Sequence, residues 1–215
     1  VELTTDSDTE MTCDSATGCT RNGTTTAFGS TFSFNDPSFM LTAILPGTAT
    51  TDSSARLMVT PVTHMAAQRA IASGATTTEE IEGINRATAK LLGLDNVDIT
   101  SIAPSDITST DSSTDDSAAR KYGALVAAFS TLAEASGGDI SATIDAISDD
   151  FATDGSMKAN TSTDGELALA DIFAAAEDSA QIGSGINSII ISSLVFLSDS
   201  GNALHPRFAK SQQYC

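Results

Sequence analysis

The sequence predicts an α+β fold, in which a short antiparallel β part at the N-terminus precedes a bundle of about five or six helices. Residues 1–60 are rich in Thr, Ser and Gly, and their apolar residues come in short bursts. Further along the chain, apolar residues recur at helical spacing between capping residues and terminating glycines. We therefore expect a β-rich part over 1–58, a helical domain over 59–200 and an extended C-terminal tail over 201–215.

The β part is expected from the spacing of its aromatic residues. Phe28, Phe32 and Phe34 stand two or four positions apart, as in a strand with one buried face. An Asn-Asp-Pro turn signal follows, and then a second strand candidate over 39–45. About four strands are predicted, which is few for an independent sandwich. The β part should therefore rest on the helices or gain a strand from a neighbouring molecule.

Two helices with strong boundary signals should follow as a hairpin. Thr60 is suited to the N-cap of the first helix, and Gly74 to the left-handed residue that ends it. Thr77 and Glu80 have the spacing of a capping box for a second helix over 78–92.

The remaining chain should contain a long surface loop and four further apolar elements. The loop is predicted over 94–116, because turn residues there interrupt any helical stripe. Thr163 and Glu166 suggest a capping box for the fifth helix. The last element is interpreted as a central helix, with a strand as the alternative. The four elements are predicted over 117–135, 139–151, 166–180 and 186–197.

Charge and hydropathy restrict the partners and the location. The chain has ten Lys and Arg against 28 Asp and Glu, a formal charge of −18, which repels nucleic acids and anionic lipid surfaces. The apolar segment 186–197 is too short to span a bilayer. The chain begins at Val1 without a signal-peptide pattern, so we expect that a signal has been removed or that the chain is a fragment. An extracellular or cell-surface location follows as the prediction.

Three cysteines fit an oxidising compartment. Cys13 and Cys19 flank a short loop that a disulfide could close, and a two-cysteine zinc half-site is the alternative. Cys215 is then the odd cysteine, available for an intermolecular bond or left as a free or inert thiol.

Carboxylate clusters are the main candidates for a metal site. Alternation along a strand would place three acidic side chains on one face, and a second cluster lies near the end of the fourth predicted helix. A structural Ca²⁺ ion is the predicted ligand, and a solvated acidic surface is the alternative. The clusters are Asp6, Asp8 and Glu10, and Asp149, Asp150 and Asp154.

Catalytic and modification signals are sparse. His64 falls in the first turn of the first helix, where a capping or packing role is expected rather than catalysis, and His205 precedes a proline in the tail. No catalytic residue and no cofactor are therefore predicted. Asn22 and Asn160 begin the Asn-x-Ser/Thr pattern of N-glycosylation.

Several segments together resemble a known group of proteins. TCDSATGC, VTPVTHMAAQRA, EEIEGINRATAKLLGL, YGALVAAFSTLAEA and ISDDFATDG resemble uncharacterised bacterial surface lipoproteins, in which a carboxypeptidase-regulatory-like β domain leads into a helical domain. The likeness covers most of residues 10–155. This resemblance implies a location in the cell envelope or outside the cell, and it implies no known reaction. The lipid-attachment cysteine of such proteins is missing and the β part is shorter, so we expect a processed product.

The leading functional hypothesis is a non-catalytic structural subunit of an extracellular homopolymer or filament. An incomplete sheet and an odd terminal cysteine both favour contacts between copies of the chain. The first alternative is a surface module that binds a glycan or a protein. The second is an acid/base hydrolase that uses Asp149, Asp150 and Asp154.

Overall fold

The computed structural model describes residues 1–45, 57–109, 116–160 and 167–183, and it confirms the α+β layout. Six short strands precede five helices in the described chain. The strands are β1 (Glu2–Thr4), β2 (Glu10–Thr12), β3 (Cys19–Arg21), β4 (Thr24–Thr26), β5 (Thr31–Ser33) and β6 (Met40–Thr42). The helices are α1 (Pro61–Ser73), α2 (Thr78–Leu91), α3 (Ser117–Ala135), α4 (Ile140–Asp154) and α5 (Leu169–Ile182).

The six strands pair as three separate two-stranded sheets that follow one another along a single nested hairpin, the ribbon. β1 pairs with β6, β2 with β5 and β3 with β4, all antiparallel, so the pairs are nested around a single turn. Asn22 and Gly23 occupy that turn with φ values of 50° and 76°. Positive φ at both central residues is the mark of a type I′ hairpin turn, whose twist matches that of the strands.

The predicted strand boundaries in this region are partly wrong. Phe28, Phe32 and Phe34 do not share one strand, because Gly29 adopts a φ of 77° and the chain turns before β5 begins. Six strands are present rather than about four, and β3 lies outside the predicted strands. The strand predicted over 39–45 is present as the shorter β6.

The ribbon packs on the helices, which is one of the two arrangements expected for a β part that cannot bury its own apolar residues. Phe34 and Leu41 are 1% and 4% exposed and belong to the same apolar cluster as Val62 of α1 and Phe129 of α3. Polar contacts reinforce this packing, since the Thr20 N–H donates to the Glu134 carboxylate at 2.8 Å. The ribbon and the helices therefore share one core.

The helix boundary signals in the first hairpin are confirmed. Thr60 caps α1 by accepting a hydrogen bond from the Thr63 N–H, and Gly74 ends the helix in the left-handed region. The capping box of α2 is present: the Thr77 side chain accepts from the Glu80 N–H while the Glu80 carboxylate accepts from the Thr77 N–H.

The start of the fifth helix differs from the prediction. α5 begins at Leu169 rather than at 166, and the Asp171 carboxylate accepts a hydrogen bond from the Ala168 N–H at 2.8 Å. The Leu169 N–H donates to the Lys158 carbonyl, which ties the helix start to the chain that follows α4. Thr163, Glu166 and the element predicted over 186–197 lie outside the described residues.

Residues 94–109 lack helices and strands, as predicted, but only part of this segment is exposed at the surface. Leu94, Ile99 and Ile107 are at most 2% exposed and fill space beside α3. The buried Tyr122 hydroxyl bridges this segment to α1, because it donates to the Ile99 carbonyl at 3.1 Å and lies 2.7 Å from Thr60 Oγ1.

Small side chains allow the helices to approach closely, as the scarcity of aromatic residues indicated. Ala124 and Ala128 of α3 and Ala176 of α5 are fully buried, and α3 packs most extensively on α5. Among the helices of the described residues, none combines the length and the hydropathy needed to cross a bilayer.

Candidate functional site

A disulfide bond fixes the inner part of the ribbon. Cys13 follows β2 and Cys19 opens β3, and the two are bonded with their Cα atoms 5.6 Å apart. Gly18 lets the loop turn tightly, since it has a φ of 89° and an added Cβ would lie 2.9 Å from the Thr26 carbonyl oxygen. The predicted pairing is thus present, and Cys215 lies outside the described residues.

The outer edges of the ribbon follow from its hydrogen-bond register. Val1 and Ala43 exchange two hydrogen bonds of 2.9 Å each. Because hydrogen-bonded and non-bonded pairs alternate in an antiparallel ladder, the next pair, Glu2 and Thr42, points its backbone groups outward. The Thr42 N–H indeed donates to His64 Nδ1 at 2.9 Å, so α1 covers the ribbon edge there.

Among the described residues, nothing pairs with either edge of the middle segment of the ribbon, which is formed by β2 and β5. The Cys13 N–H donates to the Ser30 carbonyl at 2.9 Å, and the Phe34 N–H donates to the Thr9 carbonyl at 2.8 Å. The same alternation therefore directs the backbone groups of two residues outward on each edge. They are Glu10 and Thr12 on one edge and Thr31 and Ser33 on the other.

These outward groups are available to another strand. Within the part of the chain that the structure describes, none of the four N–H groups donates to another residue. The four side chains are also exposed. An exposed row of unpaired backbone groups is a template for pairing with another chain.

An apolar cavity of about 360 Å³ lies beneath the same part of the ribbon. Strands and helices both contribute to its wall, which also contains hydroxyl groups and two carboxylates. Its main apolar lining residues are Leu3, Met11 and Phe34 from the ribbon and Val126, Ile140 and Ile144 from α3 and α4. A concave apolar site with a few convergent polar groups is typical of small-molecule binding sites.

Asp14 is the polar residue of this cavity that stands out. Its Oδ1 is sealed from solvent and accepts no hydrogen bond from the described residues. Burial raises the pKa of its carboxyl, while a hydrogen bond from Ser130 acts in the opposite direction. The nearby negative charge of Asp106 raises the pKa further. No local sequence signal indicates the burial of Asp14.

The acidic clusters proposed as Ca²⁺ sites serve partly as turn-forming groups. The Asp6 carboxylate accepts hydrogen bonds from Thr9 Oγ1 at 2.9 Å and from the Asp8 N–H at 3.0 Å, and the Thr9 bond contributes most to lowering its pKa. Asp154 similarly accepts from the Ser156 side chain and N–H. Within the described ranges, no three His, Cys, Asp or Glu side chains group as metal ligands.

His64 has a packing role in the described chain, while His205 lies outside it. His64 is 2% exposed, and burial lowers its pKa despite the carboxylate of Asp145, whose Oδ1 lies 3.9 Å from Nε2. Because Nδ1 accepts the Thr42 N–H, the neutral ring carries its proton on Nε2. Nε2 also lies 3.4 Å from Gln68 Nε2. The ring thus holds β6 against α1.

The glycosylation pattern at Asn22 coincides with the hairpin turn. Asn22 and Asn160 are both exposed, as expected. The Asn-Gly dipeptide at 22–23 is itself a strong hairpin signal, and it marks the turn between β3 and β4.

Comparison with models of known protein families gave no match, and comparisons with curated proteins and with solved structures gave none either. The resemblance to bacterial surface lipoproteins therefore stays a prediction.

Proposed function

We propose that this protein is a non-catalytic extracellular structural protein that associates with copies of itself through the open middle segment of its ribbon. The observation that carries this proposal is the pair of free edges, Glu10 and Thr12 on one side and Thr31 and Ser33 on the other. Strand addition supplies main-chain hydrogen bonds without any further folding.

The position of the two edges favours an open assembly. They lie on opposite sides of one ribbon, so β2 of one copy can pair with β5 of the next. Such a contact joins two different surfaces, and it produces a fibre when successive copies do not close into a ring.

Charge opposes this association at low salt. Each copy carries a formal charge of −18, and the exposed Glu10 lies on the pairing edge. Salt screens such repulsion, since the Debye length falls from about 30 Å at 0.01 M to about 3 Å at 1 M. Association should therefore strengthen as the ionic strength rises, and Ca²⁺ should act more strongly only if it also binds the carboxylates.

Sedimentation velocity across a NaCl series tests the proposal, with a CaCl₂ series at matched ionic strength. The natural protein should form larger species as NaCl rises. Thr12→Pro should remain monomeric, because proline removes an outward N–H and leaves the hydrogen bonds inside the ribbon in place. Thr31→Pro should do the same from the other edge.

Ser7→Pro is the matched control in the same ribbon. The Thr9 N–H donates to the Asp6 carbonyl, so Ser7 occupies the second position of a turn, where proline is favoured. This variant should associate as the natural protein does. A natural protein that stays monomeric at every salt concentration, or a Thr12→Pro variant that associates normally, would overturn the proposal.

A further inference from the structure

We propose that His64 is a pH-sensitive switch between the ribbon and the helices, which holds β6 against α1 while the ring is neutral and releases the backbone of Thr42 when the ring is protonated. This inference does not depend on the assembly proposal, because every group of the switch belongs to one chain.

The switch is a hydrogen bond whose acceptor is lost on protonation. The Thr42 N–H donates to His64 Nδ1 at 2.9 Å, at the edge where β6 meets α1. Only the neutral ring can accept there, since both nitrogens of a protonated imidazole carry a proton. Protonation would therefore set two N–H donors against each other, with their nitrogens 2.9 Å apart, and the two groups must separate.

The other ring nitrogen keeps the protonated ring on the helices. Nε2 lies 3.9 Å from Asp145 Oδ1 of α4 and 3.4 Å from the uncharged amide of Gln68 on α1. A charged ring gains attraction from the Asp145 carboxylate while it loses its bond to Thr42. Protonation thus moves the stronger partner of the ring from the ribbon to α4, and β6 is the element that is released.

The charged groups around the ring set the direction of the switch. Among the described residues, the charges that act on His64 are the carboxylates of Asp145 and Asp149, and both favour the protonated ring, but burial outweighs them and lowers its pKa. β6 has no ionisable side chain, and Glu2, which lies opposite Thr42 on β1, is exposed. The closed switch therefore favours the neutral ring.

The expected response to pH follows from the two states of the ring. When β6 is released, water reaches His64, and its pKa returns towards the ordinary value of 6.5, whereas the pKa is lower in the closed switch. If the closed switch excluded the proton completely, the ratio of open to closed forms would rise about thirtyfold between pH 7.5 and pH 5. Partial protonation of the closed switch reduces this change, so we expect a rise of about threefold to thirtyfold.

Amide hydrogen exchange followed by NMR at low salt tests the switch at pH 7.5 and pH 5. After division by the intrinsic exchange rate at each pH, the protection of the Thr42 amide should be about threefold to thirtyfold lower at pH 5. The Ala43 amide donates to the Val1 carbonyl at 2.9 Å, reports whether the ribbon itself opens, and should keep its protection. Ring nitrogen chemical shifts report the protonation of His64 in the same sample.

Three variants separate the switch from a general effect of acid. His64→Asn keeps an acceptor for Thr42, because the amide oxygen replaces Nδ1, but it does not titrate, so Thr42 should be equally protected at both pH values. Asp145→Asn should move the release to lower pH, since the protonated ring loses its carboxylate. Asp150→Asn makes the same charge change at an exposed position of α4 and should leave the release unchanged. Thermal unfolding checks folding, and Asp145→Asn decides the question if His64→Asn does not fold.

Four results would overturn the inference. The first is a ring that stays neutral at pH 5, and the second is unchanged Thr42 protection while the ring titrates. The third is an equal loss of protection at Ala43, which would indicate opening of the ribbon rather than its release from α1. The fourth is a release that is the same in His64→Asn as in the natural protein, or the same in Asp145→Asn as in Asp150→Asn.

Discussion

Replacing two helical glycines by alanine should change stability in opposite directions. Gly83 lies inside α2, where an added Cβ would meet no atom within 4 Å. Gly123 lies inside α3, where an added Cβ would lie 2.1 Å from the Ser105 carbonyl oxygen. The helix propensity gained is the same at both sites, so the difference between the variants isolates the packing of residues 94–109 on α3.

The expected magnitudes follow from these contacts. Gly83→Ala should stabilise the protein by about 0.5–1 kcal/mol, because alanine has less freedom to lose on folding. In Gly123→Ala the backbone at Ser105 must move by about 1 Å, and overpacking of this kind typically costs about 1–3 kcal/mol. The movement would also stretch the hydrogen bond of 2.9 Å from the Ser105 N–H to the Ala119 carbonyl.

Urea unfolding followed by far-UV circular dichroism measures the difference. If the dependence of the unfolding free energy on urea is unchanged, the urea concentration at the unfolding midpoint should rise for Gly83→Ala and fall for Gly123→Ala. For a chain of this size, each kcal/mol should correspond to about 2–4 °C in the melting temperature. A Gly123→Ala variant as stable as Gly83→Ala would refute the packing of this segment against α3.

Three further substitutions test buried polar groups. Asp14→Asn should raise the free energy of unfolding at pH 7 by about 1–3 kcal/mol relative to Asp150→Asn. Because burial raises the folded-state pKa of Asp14, its ionised carboxylate destabilises the folded protein only as the pH rises above the ordinary value of 3.8. The stability gained by Asp14→Asn should therefore vanish in urea titrations below that pH. Burial lowers the pKa of His64, so the natural protein should lose stability as the pH falls below 6.5. In the same assay, His64→Asn should lose less unfolding free energy than the natural protein between pH 7.5 and pH 5. Tyr122→Phe removes an acceptor for the Thr60 hydroxyl proton and the donor to the Ile99 carbonyl, and it should cost about 1–3 kcal/mol in thermal and urea unfolding, whereas a loss near zero would contradict the bridging role.

The sequence predicted the helical part well because its boundary signals are local. Thr60, Gly74, Thr77 and Glu80 act within a few residues of their own positions, and each performs the predicted role. α5 begins later than the sequence predicts, because the carbonyl groups of the chain that follows α4 accept the first N–H groups of α5, and local signals do not show this contact.

The ribbon and the cavity were harder to predict because they depend on long-range pairing. Strands of three residues carry too little periodicity to set a register, and β1 finds its partner about forty residues away in β6. Asp14 has an unremarkable sequence context, and its burial arises only when the ribbon folds over α3. The burial of Ile107 likewise depends on the space that Gly123 leaves, because a Cβ added at Gly123 would lie 3.2 Å from the Ile107 side chain.

Hydrogen exchange at the ribbon amides, measured before and after the addition of salt, tests the central claim most directly. The N–H groups of Glu10, Thr12, Thr31 and Ser33 should exchange freely in the monomer and become protected in the associated form, because the edges of two copies then pair. Protection of other surfaces while these four amides still exchange freely would contradict the account.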